Sequence, residues 1–226
     1  MCYTFQAMNM NSAEEKIRLF FEESGQRVRF KKRDTFLYAG DTPQGVNYVF
    51  KGYARLYTVA SDGKELTLVI YQPGEVFPVV WAVKGVPSIY YFESITDLEI
   101  FRVPREEFVT FINEDVDVFH EFTRGITSRF QITLKRMEYL TFGNSHAKIA
   151  SVLMIFAEQY GVREKGTMVI RIPLTHRDIA ALVGLTRETV SLEVKKLEKK
   201  GYVVKQKGLY VVKDYAGLRE ESLLEN

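Results

Sequence analysis

The chain changes texture at Pro104, and that break limits the fold more than any other feature of the sequence. From Arg27 to Val103, short runs rich in β-branched and aromatic residues alternate with turn residues. The runs are Val28–Phe30, Thr35–Tyr38, Val46–Phe50, Arg55–Val59, Leu66–Tyr71, Glu75–Val80, Tyr90–Ile95 and Glu99–Val103. Between them stand Gly40-Asp41, Lys51-Gly52, Asp62-Gly63, Pro73-Gly74 and Thr96-Asp97, and Asp62-Gly63 between two apolar runs is a strong hairpin signal. Eight short strands at this spacing predict a β-barrel or jelly roll. Beyond Pro104, which suits the first turn of a helix, helical spacing dominates. The sequence therefore predicts an α+β chain with its strands first and its helices after them.

Helical pattern runs from Arg105 to about Leu140. Phe119, Phe122, Ile126, Phe130, Thr133, Met137 and Leu140 recur in steps of 3 and 4, the spacing of a coiled-coil seam. A helix that is apolar over this length needs a partner. We expect two: the barrel of its own chain on one face and the same helix of a second chain on another. Ahead of the strands, the stretch to about Asn11 is irregular. Ser12 caps a short helix with Glu14 and Glu15 in its first turn and Ile17, Leu19, Phe20 and Phe21 on its apolar side. After Phe142-Gly143, Asn144 or Ser145 can cap a further helix that Gly161 ends, and Thr167–Ile172 reads as a short strand.

The segment from Thr175 to Gly201 carries the chemistry. Thr175 and Asp178 form a variant capping box on a short helix whose buried side is Ile179, Leu182 and Val183, with Ala180 small enough for a tight crossing. Gly184 supplies a sharp turn, and Thr186 caps a second helix with Glu188 in its first turn. Val190, Val194 and Leu197 share one face of it. Arg187, Glu188, Ser191 and Lys195 share the opposite face. One helix thus pins another whose outer edge is polar, which is a helix-turn-helix. The major groove of DNA admits one α-helix, read mainly by residues near its N-terminus. Arg187 can donate twice to guanine, Glu188 can accept from cytosine, and Ser191 can do either, with Leu192 and Lys195 completing the base-facing set. Thr175, Arg177, Thr186, Thr189 and Lys207 are the expected phosphate contacts. A closing hairpin, Val203–Lys205 with Tyr210–Val212, bears Lys205, Lys207 and Lys213 and fits a wing. The rival reading is an ordinary helical hairpin with a solvated charged face.

Charge supports the first reading. Residues 1–140 hold 17 Lys/Arg against 19 Asp/Glu, a net of −2. Residues 141–213 hold 13 against 6, a net of +7, and the tail from Asp214 holds 1 against 4, a net of −3. A basic block beside a neutral one suggests a polyanion partner for one domain only. With 13% aromatic residues the chain has material for a core, so disorder is not expected. No apolar run approaches the roughly 20 residues of a membrane span, and no secretory signal opens the sequence. The single cysteine, Cys2, excludes an intrachain disulfide and a four-thiolate cluster. A cytoplasmic location is expected. Cys2, His120 and His146 are conceivable haem ligands, but none has a haem spacing. His120, His146 and His176 are scattered and lie outside the predicted barrel, and phosphate-loop, Gly-x-Ser-x-Gly and His-Glu-x-x-His motifs are absent from the sequence. We expect no enzyme, no cofactor and no metal site.

At this point the sequence resembles the Crp/Fnr family of transcription regulators, over nearly its whole length. Thr186-Arg187-Glu188-Thr189-Val190-Ser191 is similar to the family's recognition-helix opening, and Lys195–Gly201 matches in character. Pro73-Gly74-Glu75-Val76-Phe77 is similar to its Pro-Gly-Glu strand start. The resemblance implies a jelly-roll effector-sensing domain over 1–104, a long dimerisation helix over 105–141 and a winged helix-turn-helix over 142–226. It implies a homodimer on palindromic double-stranded DNA, with RNA polymerase as a further partner if the protein is an activator. Two departures stand out. Leu192 occupies a position where the family usually has a second arginine. It either touches a thymine methyl or packs against the wing. The stretch Pro87–Ser94 lacks the arginine of the family's cyclic-AMP phosphate cradle, and Thr133-Leu134 replaces a polar pair typical of adenine contact. The effector is then not cyclic AMP, or there is none. Glu75, Val76, Phe77, Tyr90, Tyr91, Phe92, Phe130 and Thr133 are the expected pocket. Trp81 and the three neighbouring aromatics either line a site for an uncharged effector or simply fill the barrel. A ligand-binding or protein-interaction module without DNA readout is the alternative, kept open by Leu192.

Overall fold

The computed structural model describes residues 12–223. The expected irregular start to Asn11, with Cys2, lies outside the described residues. Contacts group the chain into two units, one of residues up to Leu56 with Val69–Arg129, the other of Tyr57–Leu68 with Phe130 onward.

The first unit opens with α1 (Ser12–Ser24) and continues through β1 (Gln26–Phe30), β2 (Thr35–Leu37), β3 (Val46–Lys51), the start of β4 (Ala54–Val59), the end of β5 (Glu65–Tyr71), β6 (Val76–Phe77), α2 (Val79–Lys84), β7 (Tyr91–Ser94) and β8 (Leu98–Val103), the β4–β5 hairpin over Tyr57–Leu68 being grouped with the second unit. The strands form two four-stranded sheets, ordered β1-β8-β3-β6 and β2-β7-β4-β5, a jelly-roll arrangement. Asp62-Gly63 makes the β4–β5 turn as the sequence predicts. Gly63 adopts φ +81, and the Asp62 carboxylate accepts from the Lys64 amide at 3.1 Å. One core cluster stacks Phe21 on Tyr48 beside Phe108, and a second gathers Tyr71, Phe77, Phe92 and Ile100.

Three expectations are corrected. The strand predicted over Glu75–Val80 stops at Phe77, because Pro78 has no N–H for a ladder. The chain turns instead into α2, which buries Trp81 and Ala82. The single helix predicted from Arg105 is two, α3 (Arg105–Glu114) and α4 (Val116–Phe142). Asp115 breaks it: its backbone is extended, and its carboxylate accepts from the amides of Asp117 at 2.9 Å and Val118 at 3.2 Å. Gly161 ends a helix but also starts a strand that the sequence reading did not contain. A side chain there would meet the Ala157 carbonyl at 2.0 Å and Met168 at 2.7 Å, so close backbone approach demands glycine.

The second unit contains α5 (Ser145–Tyr160), β9 (Gly161–Glu164), β10 (Thr167–Ile170), α6 (His176–Val183), α7 (Arg187–Lys199), β11 (Val203–Gln206), β12 (Leu209–Val212) and α8 (Tyr215–Glu220). Asn144 caps α5, accepting from the Ala147 amide at 2.9 Å. The run Ile149–Ala157 is buried throughout, which makes α5 the post on which α6, α7 and α8 rest. The sheet order is β11-β12-β10-β9. Among the described residues no helix is long and apolar enough to cross a membrane.

Candidate nucleic-acid interface

The predicted turn of the helix-turn-helix is built as the sequence requires. The Thr175 hydroxyl accepts from the Asp178 amide at 3.2 Å and the Asp178 carboxylate accepts from the Thr175 amide at 2.8 Å, a reciprocal capping box. Gly184 is left-handed at φ +66 and returns its N–H to the Ala180 carbonyl, closing α6. The Thr186 hydroxyl accepts from the Thr189 amide at 3.1 Å, and the two hydroxyls lie 2.9 Å apart. Ile179, Leu182 and Val183 of α6 and Val190, Val194 and Leu197 of α7 are all buried. Each such side chain contributes about 1.5–3 kcal/mol, which fixes the rotation of α7 about its own axis.

That rotation turns Arg187, Glu188, Leu192 and Lys195 outward, with Ser191 half-buried beside them. Leu192 is 62% exposed on that outward edge. Thr175, Thr186 and Arg177 are exposed and Thr189 is half-buried. Arg177 also reaches Glu65 on the β4–β5 hairpin at 3.6 Å. Lys207 sits exposed at the wing tip with a left-handed backbone (φ +49), followed by Gly208. Lys205, also on the wing, is exposed, and its ammonium donates to the Leu174 carbonyl at 2.9 Å and lies over the Tyr210 ring. Burial lowers the His176 imidazole pKa below its usual 6.5, and Lys205, Arg187 and Lys195 push it the same way against Glu198. Around the start of α7 the charge is therefore cationic, a field suited to phosphate.

The acidic tail docks on the second unit. Asp214 caps α8 by accepting from the Gly217 amide at 2.9 Å, and Leu218 is fully buried. The His146 ring nitrogens meet Glu193 of α7 at 2.8 Å and Glu221 at 2.9 Å, while Lys196 and Lys200 pair with the same two carboxylates. These groups clamp the inner side of α7 to α5 and to the tail.

In the first unit, the expected pocket residues divide. Phe77 and Phe92 are 1% exposed, and their rings stack in the barrel core. Val76 is buried, and Tyr90 and Tyr91 are half-buried. The Glu75 carboxylate accepts from the Gln72 amide at 2.9 Å and pairs with Arg129 at 3.0 Å. Burial pushes its pKa up against the pull of Arg129, whose guanidinium also lies over the Tyr71 ring. Phe130 and Thr133 belong to the second unit and are exposed. Of the predicted seam, Phe119, Ile126, Phe130 and Met137 are exposed and Leu140 is half-buried. Phe122 departs from it: its ring packs edge-on against Phe108 in the core of its own unit.

Two arginines were missed by sequence reasoning. One is Arg129. The other is Arg136, buried on α4, whose guanidinium donates to the carbonyls of Thr67 (2.7 Å), Leu68 and Leu182 (3.0 Å). It binds the β4–β5 hairpin and the end of α6 to α4 within the second unit.

Comparison with known proteins accords with this geometry. Residues 27–115 match the sequence model of the cyclic nucleotide-binding domain, and residues 147–221 match that of the Crp-like helix-turn-helix domain. The transcriptional regulator SdrP of Thermus thermophilus is 29% identical over 198 residues, spanning 86% of this chain and 93% of that protein. The global nitrogen regulator of Synechococcus elongatus is 26% identical, spanning 80% and 86%. The crystal structure of a CRP/FNR-family transcriptional regulator from Thermus thermophilus superposes with a TM-score of 0.66 at 28% identity, covering 86% of this chain and 97% of that one. FixK2 of Bradyrhizobium japonicum, at 22% identity and a TM-score of 0.76, covers 89% and 99% and shares the fold.

Proposed function

This chain belongs to the Crp/Fnr family of DNA-binding transcription regulators, and from that premise we propose that it acts as a homodimer that reads a palindromic operator through Arg187, Glu188, Ser191, Leu192 and Lys195. The carrying observation is the sealed inner face of α7 opposite an outward edge bearing those residues. Thr175, Arg177, Thr186, Thr189 and Lys207 hold phosphates. Arg177 must leave Glu65 to do so. α4 supplies the dimer contact through Phe119, Ile126, Phe130, Met137 and Leu140, and the protein works in the cytoplasm, with RNA polymerase as a partner where it activates.

Control passes through a population shift: only one mutual orientation of the two recognition helices fits the half-site spacing. The effector, if there is one, is not cyclic AMP. The 87–94 stretch offers no arginine for a phosphate, and Arg129 already engages Glu75. Selection of bound DNA from a random library tests the reading. The expected result is a palindrome with half-site centres about one helical turn, roughly 34 Å, apart. Recovery of random fragments alone would favour an interaction module without sequence readout.

A further inference from the structure

A groove of about 660 Å³ opens on the first unit between β1, β2 and β8, and none of its lining residues has a role assigned above. Its volume is that of a small-molecule site. Its apolar floor is Phe30 and Phe36, whose rings stack at 4.6 Å, with Tyr38 half out of the surface beside them. Arg33 and Arg102 stand in its walls.

Arg102 is the informative residue. Its Nε donates to the Asn47 amide oxygen at 2.9 Å and its Nη1 to the Gln44 amide oxygen at 2.6 Å. Both acceptors are neutral. Among the described residues no carboxylate pairs with this half-buried guanidinium, and its Nη2 makes no protein hydrogen bond. Burial alone lowers its pKa, with no anion to offset the cost. A desolvated cation is ordinarily paired, so an empty partner position on a groove wall is a binding feature. The position is also built rather than incidental. A side chain at Gly45 would meet the Arg102 Cγ at 2.7 Å and the Val103 carbonyl at 2.6 Å, so the glycine leaves the lane in which the arginine stem lies. The other groups nearby already have partners. Arg33 pairs with Glu93 at 3.1 Å, and Glu93 also takes the buried Arg55 at 3.0 Å. The Asp34 carboxylate accepts from the Lys31 amide at 2.7 Å. One uncompensated positive charge beside two stacked rings suits a monoanion with a flat apolar body.

We propose that this groove binds a small aromatic carboxylate, with the anion on Arg102 and the ring against Phe30 and Phe36. The carboxylate takes Nη2 directly and gains a second bond from Nη1 when the exposed Gln44 side chain swings aside. The Asp34 carboxylate, which lines the groove and meets a backbone amide rather than a cation, disfavours a dianion such as a phosphate monoester. The site stands whether or not the DNA-reading assignment is right, because it shares no residue with it.

The test is calorimetric titration of the full-length protein with 2-naphthoate, its neutral analogue 2-naphthamide, and acetate. Naphthoate should bind, and the amide and acetate should each bind at least about tenfold more weakly, the loss of one charge-assisted pair or of the ring contact. Arg102→Gln should weaken naphthoate by about tenfold or more in a protein that keeps a cooperative melting transition, and Arg102→Lys should fall between. Arg129→Gln, at the Glu75 site, should leave the titration unaltered. Equal binding of naphthoate and naphthamide, an Arg102→Gln protein that binds normally, loss on Arg129→Gln alone, or no heat at millimolar naphthoate each overturns the proposal.

Discussion

Arg187 opens α7 with its side chain in solvent, one residue after the capping threonine. That position lets its guanidinium meet a guanine edge with both donors. Arg187→Ala should therefore cost about 1–3 kcal/mol of operator affinity and relax preference at one base pair of each half-site. Quantitative binding to a library of single-base operator variants reads this out, and unchanged selectivity would remove Arg187 from the reading edge. The role proposed for Lys207, an ammonium at the wing tip on a phosphate, gives a different expectation. Lys207→Ala should weaken all sequences about equally and lower the slope of log affinity against log salt by about one unit. A residue's role was legible in sequence where it depends on local spacing, as for the Thr175, Gly184 and Thr186 positions. It was illegible where partners come from afar. Arg136 reads as one more helix charge until Thr67, Leu68 and Leu182 are brought to it. The bond from the Lys205 ammonium to the Leu174 carbonyl, 31 residues away in sequence, was equally hidden.

At the scale of elements, the recognition helix is held from behind by its clamp. Desolvation tends to raise the Glu193 pKa, but hydrogen bonds from Lys196 and His146 win and hold it below its usual 4.5. Lys200, helped by His146, holds the Glu221 carboxyl low as well. A carboxylate whose folded pKa lies below its unfolded value stabilises the fold above the unfolded value, and that contribution disappears as pH falls through the folded one. The clamp should thus be complete at neutral pH and released only below about pH 4.5. Glu221→Gln should lower the melting temperature at pH 7, and the gap from wild type should close as the pH is taken into that acid range. A gap that is the same at pH 7 and pH 3.5 would show that the carboxylate charge does not hold the helix. Element types were mostly readable, because periods of two and of 3.6 differ sharply over this chain. The failures fell where one side chain acts on the backbone: Asp115 accepting two amides ahead of it and splitting a long helix, and Pro78 denying a strand its donor.

For the molecule as a whole, the unsolved cost is α4. Phe119, Ile126, Phe130, Leu134 and Met137 are each between 38% and 60% exposed on this one helix. Apolar side chains of this size gain about 1.5–3 kcal/mol when buried, so several in register on two copies are enough to hold a dimer at micromolar concentration. The departure of Phe122 from the predicted seam supports a division of labour: that ring serves its own barrel core, while the outward residues are left for a second chain. The wild-type protein should therefore sediment as a dimer at about 10 μM, and Phe130→Glu with Met137→Glu should sediment as a monomer with its melting transition retained, since neither side chain is buried within one chain. Operator affinity is the linked readout. Two tethered half-site readers benefit from an effective concentration near millimolar, so the monomeric variant should bind a full palindrome about 100-fold or more weakly, while its affinity for an isolated half-site stays as in the wild type. If the wild type is monomeric both free and on DNA, or if the double variant keeps its full-palindrome affinity, α4 does not join the two readers and the exposed stripe has some other purpose.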